Sequence, residues 1–233
     1  MKTIAIIQAR TGSTRLPGKI FMNLAGTPLI WHVVNRLKQV KNLDDIGIAT
    51  SEKQNDDKIE CFAKSENLLF FRGSEEDVLE RFISAAEKFQ ADNIIRITCD
   101  AALIDPVQIE KMIEKGITEN LDYVFYDPKI DHVYEGFEFI SLATLKRIQN
   151  FTVEKPYHEH VTKYIRENPS FGKIGYLPVG NKFLKSNFTK PFKLSVDTIA
   201  DFEFMNKIYT RLYKNDTIVD LGETLDLIKQ NEI

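Results

Sequence analysis

Strand-like and helix-like segments take turns along most of this chain, and that alternation is what most restricts the folds open to it. "TIAIIQA" (3–9) reads as a buried strand and "PLIWHVVNRLKQ" (28–39) as a helix with Pro28 at its first position. "DIGIAT" (45–50), "LLFF" (68–71) and "NIIRIT" (93–98) are further strands. Between them lie amphipathic helices at "NDDKIECFAKSE" (55–66) and "SEEDVLERFISAAEKF" (74–89), the second opening with Ser74 and Asp77 in a capping-box arrangement. Asp105 caps the next helix, with Pro106 as its first residue and an end near Lys115. Four β–α units in succession predict an α/β fold: a parallel or mostly parallel, Rossmann-like sheet with helices on both faces.

After about residue 118 the rhythm loosens. "DYVFY" (122–126) and "GFEFI" (136–140) read as strands around a polar loop, with helices near 141–149 and 157–167 and a strand at "KIGYLPV" (173–179). "TIADFEFMNKIYTRLY" (198–213) is a strong helix in which Thr198 and Asp201 form a second capping-box candidate. No long linker or repeat divides the chain, so the expectation is one domain over 1–233 with a small inserted lobe within about 119–180.

The chain has no apolar run near the roughly 20 residues that span a bilayer, and Gln8 and Arg10 interrupt the pattern a signal peptide would need. Two cysteines, Cys61 and Cys99, argue against a disulfide framework. A cytoplasmic protein with no membrane partner is expected. The net charge of −3 gives no reason to expect nucleic-acid binding, but its distribution is uneven. Seven cations (Lys2, Arg10, Arg15, Lys19, Arg36, Lys38, Lys41) precede the first acid, Asp44; setting that +7 against −3 leaves −10 for the remainder. A local cationic field on an acidic protein suits a small, highly charged ligand.

The centre of that field is the loop after the first strand, "ARTGSTRLPGK" (9–19). In α/β sheets ligands sit beyond the carboxyl ends of strands, which is where this loop begins. Gly12 and Gly18 permit close backbone approach, Ser13 and Thr14 offer hydroxyl and amide donors, Arg15 can fork onto phosphate oxygens and Lys19 adds a point charge. It is not a Walker loop: five residues separate Gly12 from Gly18, and Ile20 stands where the metal-binding hydroxyl belongs. No Rossmann G-x-G-x-x-G pattern is present either.

Two carboxylates are candidates to complete such a site. Asp100 ends the strand "NIIRITCD", where a charge needs a cleft or a partner, and Asp197 follows "KLSV" before a helix start. Each can also be read as a simple cap. Arg72 can pair with Glu75 or Asp77 as readily as with a ligand. A metal site in "YHEHVTKYI" (157–165) is disfavoured, because helical residues two apart do not face each other. Cys99 has no adjacent histidine to make it a nucleophile, and Trp31 and His32 read as packing residues of the first helix.

"QARTGSTRLPGK" resembles the signature of sugar-activating cytidylyltransferases, and the chain is most similar to the SpsF-like group of spore-coat polysaccharide proteins, related to CMP-KDO and CMP-acylneuraminate synthetases. "LAGTPLIWHVVNRLKQ", "FRGSEEDVLERF", "RITCDAALIDP", "EHVTKYI" and "LSVDTIADFE" resemble further blocks of that group, in order. The resemblance implies a nucleotide-diphosphosugar-transferase-like fold, CTP and Mg2+ as ligands, and a homodimer. It implies that Asp100 and Asp197 hold the metal, that Ala9, Arg10, Gly12, Ser13, Arg15, Lys19, Arg72 and Ser74 bind the nucleotide, and that Arg15, Lys19, Asp100 and Asp197 carry catalysis. Glu138, His160 and Lys163 fall in blocks near the acceptor, for which a phosphorylated or acidic sugar-like compound is expected, since such a nucleophile is already ionised and needs no general base. The family's Gly before the strand-end aspartate and Cys-Pro after it are here Cys99, Ala101 and Ala102. That departure keeps open a catalytically silent nucleotide-binding or partner module. A nucleotide-sugar-dependent glycosyltransferase is the other alternative, although its Asp-x-Asp motif is missing at the fourth strand.

Overall fold

Alternate side chains of the first strand, β1 (Thr3–Gln8), leave it on opposite sides, and each side meets its own core. Ala5 and Ile7 join one cluster and Ile4 and Ile6 the other, all fully buried. In the computed structural model, which describes residues 1–214 and 217–230, β1 lies inside a seven-stranded sheet. The strands that follow are the short hairpin β2 (Asn23–Leu24) and β3 (Thr27–Pro28), then β4 (Asp45–Ser51), β5 (Leu69–Gly73), β6 (Asn93–Thr98), β7 (Tyr123–Tyr126), β8 (Phe137–Ser141) and β9 (Ile174–Leu177). The helices are α1 (Leu29–Leu37), α2 (Asp57–Ser65), α3 (Val78–Phe89), α4 (Pro106–Thr118), α5 (Leu142–Phe151), α6 (Lys155–Glu159), α7 (Lys163–Glu167), α8 (Ile199–Leu212) and α9 (Leu221–Lys229).

The sheet order is β5-β4-β1-β6-β8-β7-β9. β5, β4, β1 and β6 are mutually parallel, β8 runs antiparallel to both β6 and β7, and β9 is parallel to β7. The mostly parallel sheet read from the β–α alternation is therefore present, with β8 as its reversed strand. Residues 119–180 supply β7, β8 and β9, which extend this same sheet. Helices α1, α2, α4, α8 and α9 pack on the face that takes Ala5 and Ile7, while α3, α5 and α7 cover the other.

β1 pairs with β4 on one side and β6 on the other, so the chain reverses its order at β1 and opens a crevice at the carboxyl ends of β1 and β6. The loop after β1 and Asp100 after β6 leave the sheet at this edge.

Several local expectations are revised. The helix expected from Ser74 starts at Val78, because Asp77 is the cap that accepts from Glu80 N (2.8 Å), while Ser74 Oγ accepts from Asp77 N one turn earlier (3.0 Å). Pro28 caps α1 from outside instead of opening it, since it is tied to Asn23 in the hairpin. That hairpin turns on Ala25 and Gly26, both at positive φ (48° and 87°), a two-residue loop whose twist matches its strands. The helix expected over 157–167 is broken into α6 and α7, where the chain dips at Val161 and Thr162 to bury both. Asp105 and the Thr198–Asp201 capping box behave as the sequence predicts.

Candidate active site

The loop from 9 to 18 is closed by the backbone of Thr11, whose carbonyl accepts from Ser13 N and Gly18 N, both at 3.0 Å. Gly18 sits at φ +70°, a left-handed position that favours glycine; Gly12 shows no such demand, and a side chain there would first meet Glu75 Oε1 at 3.8 Å. Beyond Gly18 a single 3₁₀ turn, Lys19–Phe21, turns Lys19 inward.

Lys19 is 9% exposed. Its ammonium donates to Val196 O (2.7 Å), Asp100 Oδ2 (3.0 Å) and Asp197 Oδ1 (3.0 Å), which uses all three of its protons. A bond from Val196 N to Asp100 O (2.9 Å) clips the two acidic segments together. The backbone amides of Asp197 and Thr198 both donate to Asp201 Oδ2, so the α8 capping box also fixes Asp197. Arg15 Nη2 reaches Asp197 Oδ1 at 2.8 Å, and Lys193 bonds its other oxygen. Burial pushes the Asp197 carboxyl up, but hydrogen bonds from Lys193 and Lys19 outweigh it and hold its pKa at about 2. Burial raises the Cys99 thiol strongly, which leaves it protonated and no nucleophile.

Arg10, Ser13, Thr14, Arg15, Lys19, Asp100 and Asp197 thus meet around one cavity of about 220 Å³. Ala9, the first residue of the loop, is buried. Gln8 and Arg10 also border a larger cleft of about 730 Å³, walled by the start of α3, Arg81, Arg96, and the segment from Val153 to His160. Of the three acceptor candidates, His160 faces this cleft. Glu138, on β8, keeps 13% of its side chain exposed, accepts from Tyr123 (2.8 Å) and lies 3.6 Å from Arg96 and 3.8 Å from Arg166. Lys163 stacks over Tyr157 on a separate surface hollow that His160 also borders. Arg72 is not on either cavity: it donates to Asp57, Glu60, Ser51 O and Lys53 O, and these partners hold it against α2. Ser74 gives its carbonyl to Arg81, at the edge of the larger cleft.

The sequence reading missed Lys193, although its position four residues before Asp197 was a signal. It also missed Arg96, a cation inside an apolar strand, whose register partner across β8 is Glu138. Two such interruptions in adjacent strands identify an internal ion pair. His158 lies in the 157–165 segment, and among the described residues no group of three or more His, Cys, Asp or Glu is arranged to hold a metal. Instead Nδ1 of His158 meets Asp77 Oδ2 (2.7 Å) and Nε2 meets Thr152 O (2.8 Å). Both partners are acceptors, so both ring nitrogens donate and the imidazolium is the favoured form. Burial lowers this histidine's pKa, but the Thr152 carbonyl and Asp77 carboxylate raise it further. A group raised on folding stabilises fully below its unfolded value and loses that contribution as pH climbs through its folded value. His158→Gln is therefore expected to melt about 2 °C below wild type at pH 5.5, the difference shrinking as pH climbs past the ordinary histidine value of 6.5, in paired thermal scans.

A family model for cytidylyltransferases matches residues 4–233. The chain belongs to the cytidylyltransferase family. It is 38% identical to the uncharacterized protein MJ1063 of Methanocaldococcus jannaschii, over 99% of this chain and 92% of that one. It is 33% identical to the spore coat polysaccharide biosynthesis protein SpsF of Bacillus subtilis, over 97% and 93%. A solved cytidylyltransferase from Leptospira borgpetersenii superposes with a TM-score of 0.88 at 28% identity, covering 100% of this chain and 95% of that one. The SpsF-like resemblance, the nucleotide-diphosphosugar-transferase-like fold and the assignment as a CTP-dependent nucleotidyltransferase all stand.

Proposed function

We propose that this cytidylyltransferase moves a cytidylyl group from CTP to a phosphorylated or acidic sugar-like acceptor, releasing pyrophosphate, as a step in making a surface polysaccharide. The observation that carries this reading is the convergence of Arg15 and Lys19 with Asp100 and Asp197 in one small cavity that opens beside a larger one. The smaller cavity suits the triphosphate. The larger has room for the nucleoside and acceptor, with Arg10 at the junction.

Asp100 and Asp197 are the residues that would hold Mg2+. Both are oxygen donors brought to a common cation, the Lys19 ammonium, and two carboxylates completed by phosphate oxygens and waters are what this ion takes. When bound it would neutralise phosphate charge at the reacting centre. The chain's own part is positioning and charge. Arg15 and Lys19 stabilise the β- and γ-phosphates as pyrophosphate departs, while the clip between Val196 and Asp100 keeps the acidic segments in register. An ionised acceptor attacks the α-phosphorus in line and needs no proton removed.

Ala9, Gly12, Ser13 and Ser74 belong to the nucleotide side of this reading and His160 to the acceptor side. Arg72, Glu138 and Lys163 act there only indirectly, given their partners. The reading extends to a cytoplasmic homodimer that uses residues within 119–180. A pyrophosphate-release assay, run with each nucleoside triphosphate against phosphorylated and acidic sugars, tests it. Release with CTP and one acceptor class is the expected result. Binding of CTP with no release for any acceptor would favour the silent module that Cys99, Ala101 and Ala102 keep open.

A further inference from the structure

The cation-bearing loop has a buried anchor outside itself. Asp56 is 2% exposed and ends the single 3₁₀ turn Gln54–Asp56 that precedes α2. Its Oδ1 accepts from both Thr11 N and Thr11 Oγ1, each at 2.7 Å, and its Oδ2 accepts from Ser51 Oγ at the end of β4. Burial pushes the Asp56 carboxyl up, yet the bonds from Ser51 and Thr11 leave it below the ordinary carboxylate value, so it is ionised at neutral pH. Thr11 in turn closes the loop through its carbonyl, which holds Ser13 N and Gly18 N, and Lys19 is the next residue. One carboxylate on a neighbouring β–α connection is thereby linked through a single threonine to both ends of the loop.

We infer that Asp56 is a positioning residue for the phosphate loop: through Thr11 it fixes the 11–18 segment and hence where Arg15 and Lys19 stand. The inference rests on the triphosphate reading of those two cations. A generic structural role would lower stability alone. A positioning role also releases the loop and weakens triphosphate binding, because a group displaced by about 1 Å gives up much of its effect. Ser51 provides the control, since it bonds the same carboxylate through Oδ2, whereas both Thr11 bonds go to Oδ1.

The experiment compares wild type with Asp56→Ala, Thr11→Val, Thr11→Ser and Ser51→Ala. It measures melting temperature, the rate of tryptic cleavage after the exposed Arg15 without nucleotide, and the Kd for CTP with magnesium by calorimetry. Asp56→Ala is expected to raise both cleavage rate and Kd by about tenfold or more. Thr11→Val should shift both in the same direction by less, Thr11→Ser should stay near wild type, and Ser51→Ala should lower only the melting temperature. Folded Asp56→Ala with wild-type cleavage and wild-type Kd overturns the inference. Should Asp56→Ala fail to fold, Thr11→Val decides: equality with Thr11→Ser in both readouts overturns it. A wild type that binds no nucleotide would instead remove the triphosphate reading, leaving the cleavage rates to judge the clamp.

Discussion

Lys19→Ala is expected to slow CTP-dependent pyrophosphate release by about 10²–10³-fold, the cost of removing one preorganised charged donor from a reacting centre. The ammonium's charge is already placed, with three acceptors fixing it and little water around it, and a phosphate arriving beside Asp100 and Asp197 takes over one of those bonds. Alanine leaves Asp100 and Asp197 facing a small void. Arg15 and Lys193 still neutralise Asp197, and Asp100 is open enough to be hydrated, so the variant should fold and melt within a few degrees of wild type. Lys19→Arg should not rescue, because a planar fork cannot reproduce three bonds radiating from one nitrogen. A rate near wild type for Lys19→Ala would remove this residue from the chemistry.

Asp197→Asn should be nearly as damaging to turnover, by about 10²-fold, and should in addition move the magnesium dependence to higher concentration. It changes stability in a pH-dependent way that can be read without any substrate. The Asp197 carboxyl is held at about 2, below its ordinary 3.8, so its ionised form contributes stability that is fully present above about pH 4 and lost as pH falls toward 2. The asparagine variant cannot lose what it lacks. Its melting temperature at neutral pH should fall by several degrees, and the gap to wild type should narrow below pH 4. A wild type and variant that differ equally at pH 7 and pH 2.5 would show that the three cations around Asp197 do not set its ionisation.

The first half of the fold was legible because its information is local. β1, β4, β5 and β6 are each an apolar run of strand length followed by a helix-period pattern, and parallel sheets leave few other arrangements. What escaped was set by distant contacts. Nothing in "GFEFI" says that β8 inserts between β6 and β7 in reverse, since that is set by pairing across the sheet, where Arg96 meets Glu138 in register. The β2–β3 hairpin hid behind an alanine at a positive φ, where Asn or Asp is the usual signal. Helix α9, capped by Asp220, was not anticipated at all.

The site divides in the same way. Arg15, Lys19, Asp100 and Asp197 stood out because charges at strand ends and glycine turns are costly without a purpose, and they do come together. Arg72 lay in an equally suggestive block, but Asp57 and Glu60 on α2 are nearer and satisfy it. Asp56 gave no signal, being one of two adjacent acids at a helix start, and only the folded loop shows that Thr11 is what it holds.

The convergence of cations and carboxylates on a polyphosphate is tested most directly by calorimetric titration of the wild-type protein with cytidine, CMP and CTP in the presence of magnesium. The account predicts that affinity climbs steeply with phosphate number, by about 10²-fold or more from cytidine to CTP, and that Lys19→Ala flattens that climb. Equal affinity for cytidine and CTP, in wild type and variant alike, would contradict it.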